Sequence, residues 1–149
     1  MDKSSVIPII QKLIQSQNLA VLATSDGGFP YSSLVSFSST DDLCTIVFAT
    51  ARQTRKYHNI QQNHRVSLLI DNRSNQESDL HQAVAVTALG RAREITSQEK
   101  GPFLLHHLIK HPALVDFTDS PDCALVLVEI DVYYVVQQFQ AVTEFRPQP

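Results

Sequence analysis

Residues 45–57 read Thr45-Ile46-Val47-Phe48-Ala49-Thr50-Ala51-Arg52-Gln53-Thr54-Arg55-Lys56-Tyr57, a passage that turns from strand to helix within a few positions. The β-branched and aromatic run Thr45 to Thr50 predicts a strand, because such side chains fit a pleated surface. Thr54 then stands where a helix N-cap belongs, with Tyr57 and Ile60 at i and i+3 among polar neighbours, which predicts a short helix over Thr54 to Gln62. Arg52, Arg55 and Lys56 place three of the twelve basic residues within five positions, and none occurs between Lys12 and Arg52. In a first helical turn a cation meets the positive end of the macrodipole, which is unfavourable by a few tenths to about 1 kcal/mol unless an anion is bound. Helix-start amides, a threonine hydroxyl and two or three cations would together cradle a phosphate. A solvated charged turn needs no ligand, and the passage alone leaves both readings open.

Outward from this passage the pattern is mostly extended. Upstream, Val6, Ile9, Ile10, Leu13 and Ile14 recur at helical spacing and predict a first helix ending near Ser16. Leu19 to Thr24 and Tyr31 to Ser38 flank Ser25-Asp26-Gly27-Gly28 and read as a hairpin. A turn at Thr40-Asp41-Asp42 leads into the Thr45 strand. Downstream, Arg65 to Asp71 reads as strand, Asn72 to His81 as a polar surface loop, and Ala83 to Ile95 as a strand bent at Gly90. A second long helix opens after Thr96 or Ser97, carries Phe103, Leu104, Leu108 and Ile109, and stops before Pro112. After a brief turn over Ala113 to Phe117, Ala124 to Phe139 supplies one or two strands, with Ala141 to Phe145 continuing or pairing back. The expectation is one antiparallel unit of about six strands and three helices.

With 149 residues, 43% hydrophobic and 18% charged, the chain suits a single globular domain over residues 1–149. A net charge of −3 provides no global field for nucleic acid or an anionic membrane, so any anion site must be local. No apolar window approaches the roughly 20 residues of a membrane span, and the N-terminal stretch from Met1 lacks a signal-peptide pattern. Cys44 and Cys123 stand far apart without a pairing or zinc motif, so a reducing cytoplasm is expected and no metal site.

A second candidate region is the hydroxyl-rich pair of strands Tyr31-Ser32-Ser33-Leu34-Val35-Ser36-Phe37 and Arg65-Val66-Ser67-Leu68-Leu69-Ile70. Apolar walls with a few polar groups suit a flavin ring, although strand serines bonded to backbone are the commoner case. From Leu19 to Ile95 the pieces resemble the pyridoxamine 5′-phosphate oxidase-like family of FMN-binding split barrels. They are Ala23-Thr24 with Gly28 and Pro30, Ser32 to Phe37, Phe48-Ala49-Thr50, Thr54-Arg55-Lys56-Tyr57 with Asn59, and Arg65 to Ile70. The resemblance implies a mainly β fold with flanking helices, a six-stranded antiparallel split β-barrel, and FMN as cofactor. It implies that Thr50, Thr54, Arg55 and Lys56 hold the phosphate and that Ser33, Leu34, Val35 and Ser36 lie beneath the ring. Ser67 belongs to the matching strand, and Gln82 or Thr87 would approach from the bent strand. It also implies a homodimer with cofactor sites between subunits, an expectation shared by the apolar run Ala124 to Val136, which is more than a small barrel should bury.

The departures matter as much. The family's vitamin oxidases end in Arg-x-His, whereas this chain closes on Phe145-Arg146-Pro147, and it has no Trp. A flavin-dependent oxidoreductase of another substrate is therefore expected, with NAD(P)H a possible donor. A haem- or deazaflavin-binding barrel and a flavin-binding module without turnover are the alternatives, and no catalytic acid or base stands out. His106, His107 and His111 offer helical spacing for a ligand set, yet a solvated or helix-end role fits cationic histidine near a helix C-terminus. Tyr133, Tyr134, Phe139 and Phe145 read as core or interface, and neither Asp79 nor Asp116 has an evident catalytic partner.

Overall fold

The computed structural model describes residues 3–138 and 141–149, so Phe139 lies outside the described residues. Helix α1 spans Val6–Ser16 and buries Val6, Ile10, Leu13 and Ile14. Pro8 sits in its first turn, where the missing N–H has no intrahelical partner to lose. Strands β1 (Leu19–Asp26) and β2 (Phe29–Ser39) form a hairpin closed by Gly27 and Gly28, whose φ values of 58° and 83° supply the left-handed turn that a twisted hairpin requires. β3 (Thr45–Ala51), α2 (Arg55–Gln62) and β4 (Arg65–Asp71) follow as expected.

The expected polar loop contains one short helical turn, α3 (Asp79–Gln82). The Asp79 carboxylate organises it by accepting from the Ser74, Asn75 and Gln76 amides at 2.8 to 3.4 Å, so this aspartate is committed to the loop. β5 (Val84–Glu94), α4 (Lys100–Lys110), α5 (Val115–Asp119), β6 (Cys123–Gln137) and β7 (Ala141–Phe145) complete the chain.

The strands run in the order β3-β2-β1-β4-β5-β6-β7, and β3 also pairs with β6. Six antiparallel strands therefore close into a barrel, and β7 lies outside it, pairing back on the second half of β6. At the bend in β5 the register shifts between Leu89 and Gly90. A Cβ on Gly90 would collide with the carbonyl oxygen of Glu129 and stand 2.8 Å from Val128 Cγ1, so only glycine admits this close approach.

The barrel is filled by Leu22, Val35, Phe37, Ile46, Phe48, Leu68, Ile70, Val86, Val126 and Tyr133. Tyr133 is fully buried and donates its hydroxyl to the Leu43 carbonyl at 2.7 Å, which makes it core and not interface. A second cluster lies on the outer face of β3 and β6, where Val47, Ala49, Cys123, Leu125 and Leu127 pack beneath Phe103 and Leu104 of α4. This corrects the expectation drawn from Ala124 to Val136. The first half of that run is buried on both faces within one chain, because α4 supplies the second cover.

The barrel is split along one seam. β2 pairs with β1 from Phe29 to Ser36, yet it meets β3 only over Phe37, Ser38 and Ser39. The other edge of β2, from Phe29 to Ser36, pairs with no strand among the described residues. Its backbone donors and acceptors on that side are not taken up by a neighbouring strand.

Candidate functional site

α2 begins where β3 leaves the barrel. Thr54 takes extended backbone angles and its Oγ1 accepts from the Tyr57 amide at 3.3 Å, the N-cap expected from the sequence. The same hydroxyl donates to the Ala51 carbonyl at 2.8 Å and stands 3.1 Å from Thr50 Oγ1, so the two threonines are fixed as a pair. Thr50 itself is buried. Arg55 is exposed and Lys56 half-buried, and among the described residues neither forms an ion pair. Two cations without an ion-pair partner among the described residues and the free first-turn amides of a capped helix thus share the start of α2.

Arg52 does not join them. Its Nε and Nη2 donate to the two oxygens of Glu94 at 3.1 and 2.9 Å, and its Nη1 donates to the Pro121 carbonyl at 2.7 Å. Tyr57 donates its hydroxyl to the same Glu94 carboxylate at 2.6 Å. Arg52 foremost, then Tyr57, holds the Glu94 carboxyl below the usual range despite partial burial, and the hydrogen bond to Glu94 raises the Tyr57 phenol. Sequence reading missed Glu94, since 42 positions separate it from Arg52 and only barrel closure brings them together.

The strand residues divide by face. Ser33 and Val35 point inward with Leu22 and Ala20, opposite which they pair; Val35 is core, and Ser33 Oγ is buried without a hydrogen-bond partner. Of the four residues expected beneath a ring, Ser33 and Val35 thus offer that surface their backbone and not their side chains. Leu34 and Ser36 point outward. Leu34, Val21, Leu69, Thr87 and Tyr134 pair in one row across five strands, and Ser32, Ala23, Ser67 and Leu89 form the next row. Leu34 is 64% exposed, and this outer face lacks the helical cover that α4 gives to β3 and β6. The structure so gathers Leu34, Ser67 and Thr87 on one face, and leaves Gln82 exposed at the end of α3.

The histidines belong to the docking of α4. His107 is fully buried; its Nδ1 lies 2.8 Å from Ser38 Oγ and its Nε2 3.2 Å from Ser36 Oγ. Burial above all, with Lys110, His111 and His106 nearby, pulls its pKa down to about 4. It is a neutral core histidine, contrary to the solvated role expected of it, and both ring nitrogens are engaged. His106 and His111 donate from Nε2 to the Ser39 and Phe37 carbonyls, each at 2.8 Å. Lys110 donates to the Ile14 carbonyl at the end of α1 and lies 3.8 Å above the Phe37 ring, where burial draws its pKa to about 8.

The family profile described as pyridoxamine 5′-phosphate oxidase matches residues 8–138, nearly the whole barrel. The chain belongs to that family. Among solved structures, a haem-binding protein from Mycobacterium smegmatis is similar at 19% identity and TM-score 0.84, covering 98% of this chain and 60% of that one. A FAD-binding protein from Mesorhizobium loti is similar at 15% identity and TM-score 0.67, covering 84% of this chain and 89% of that one. A pyridoxamine 5′-phosphate oxidase-like protein from Listeria innocua is similar at 14% identity and TM-score 0.69, covering 88% and 98%. At these identities the likeness is one of fold. No curated protein matches the chain. Within the pyridoxamine 5′-phosphate oxidase family, then, it is this chain's own residues that bear on the cofactor. None of its described helices is long and apolar enough to cross a membrane.

Proposed function

We propose that the chain binds FMN against the open edge of β2, as a homodimer, and acts as a flavin-dependent oxidoreductase. The observation that carries the reading is the pair of unneutralised cations, Arg55 and Lys56, at the first turn of a helix capped by Thr54. A phosphate monoester dianion satisfies the exposed amides and both cations together. The unpaired β2 edge offers backbone groups to a pyrimidine ring, and Leu34 offers an apolar contact. The outward row of exposed Leu34 with half-buried Val21 and Leu69 suits a second copy, whose Gln82 and Thr87 would close over the ring. Bound flavin would supply hydride acceptance and donation, while the chain holds the phosphate, orients the ring and limits water.

Titration with FMN should quench its fluorescence saturably and raise the melting temperature, and riboflavin, which lacks the phosphate, should bind at least about tenfold more weakly. Equal affinity for both compounds would remove the phosphate cradle. Haemin binding with a Soret shift and no FMN binding would replace the flavin reading altogether. NAD(P)H consumption by the FMN-loaded protein separates an oxidoreductase from a flavin-binding module without turnover.

A further inference from the structure

The basic cluster contains three cations, yet one is withdrawn. We infer that Glu94 sets the charge of the phosphate cradle by holding Arg52 away from it, making the site selective for a single terminal phosphate over more highly charged phosphate esters. This rests on the reading of Arg55 and Lys56 as phosphate ligands. Arg52 lies between Thr50 and Thr54 in the chain, at the point where β3 hands over to α2. Its backbone N–H is pinned to the Asp122 carbonyl at 2.8 Å, and all three guanidinium nitrogens donate to Glu94 or Pro121.

Glu94 is in turn fixed from two sides. It ends β5, and it accepts from Tyr57, the residue whose amide the Thr54 cap receives. The carboxylate is thereby tied to the first turn of α2, next to the cradle, and neutralises one of its three cations. Arg55 and Lys56 remain, matching the two charges of a phosphate monoester. A fork held bidentately by a carboxylate is also held in direction, since guanidinium and carboxylate are coplanar in such a pair. Arg52 therefore acts here as a strut from β3 to β5 and to the loop before β6, and Glu94 is a specificity-determining residue that touches no ligand.

The test compares inorganic phosphate, pyrophosphate and FMN on wild type, Glu94→Gln and Tyr57→Phe by calorimetry, with melting curves to confirm folding. Glu94→Gln keeps the side-chain shape, removes the negative charge that neutralises Arg52 and should raise the pyrophosphate-to-phosphate affinity ratio about tenfold, the worth of one added charge-assisted interaction. Tyr57→Phe leaves the Arg52 to Glu94 pair intact and should leave the ratio within about twofold of wild type. An unchanged ratio in a folded Glu94→Gln protein that still binds FMN overturns this inference alone. If wild type binds neither FMN nor phosphate, the proposed cofactor site fails instead. Should Glu94→Gln not fold, Glu94→Ala with Arg52→Ala restores charge balance, and a ratio in that double variant above wild type also overturns the inference.

Discussion

A cation in the first turn of a helix works against the local field, so its removal should help an empty protein and harm a loaded one. Arg55→Ala is accordingly expected to leave the melting temperature of the unliganded chain unchanged or slightly raised, while weakening FMN binding about ten- to a hundredfold. Calorimetry beside thermal melts reads both effects, and a variant that binds FMN as tightly as wild type would return Arg55 to a solvated turn. Thr54 was legible as a cap because capping is local chemistry, and Thr54→Ala should cost about 1 kcal/mol in urea unfolding. Gly90 was legible as a bend but not as a near-contact. Gly90→Ala should destabilise by about 2 to 4 kcal/mol, because the Cβ meets the Glu129 backbone, which cannot rotate away as a side chain would. The inward turn of Ser33 and Val35 follows from register, and a one-residue shift would have reversed it.

Helix α4 shows how an element can be foreseen while its role is missed. Its apolar positions and its stop before Pro112 are written in the local pattern. That His107 enters the protein interior depends on Ser36 and Ser38 standing opposite it on β2, about 70 positions away. A pH dependence follows. The buried imidazole is held neutral down to about pH 4, whereas an unfolded histidine takes up a proton below about 6.5. The unfolded state thus binds the extra proton between those values, and stability present above pH 6.5 declines as pH falls through that window, by up to about 3 kcal/mol. Melting curves of wild type and His107→Gln from pH 7 to pH 4 check this. The variant should start less stable and lose less over the interval; parallel losses would show that His107 contributes nothing to the acid response.

Across the assembled molecule, the surface proposed for a second copy draws only Tyr134 from the apolar run Ala124 to Val136. The first half of the run after Ala124 is covered by β3, β5 and α4, while the outer row passes through Leu34, Val21, Leu69, Thr87 and Tyr134 on five strands. Leu34→Glu should therefore convert the proposed dimer to a folded monomer in sedimentation at micromolar concentration and weaken FMN with it. A wild-type monomer, or a Leu34→Glu dimer, would move the interface elsewhere.

Local sequence specified the strands, the hairpin glycines, the Thr54 cap and the clustering of three cations, since each depends on neighbours within a few positions. The family followed from the order of those pieces along the chain. Closure of β3 onto β6 is what turned the three cations into two free charges and one strut, by carrying Glu94 to Arg52. That outcome arises from a contact between residues 42 positions apart, and such a contact leaves no spacing in the chain to read.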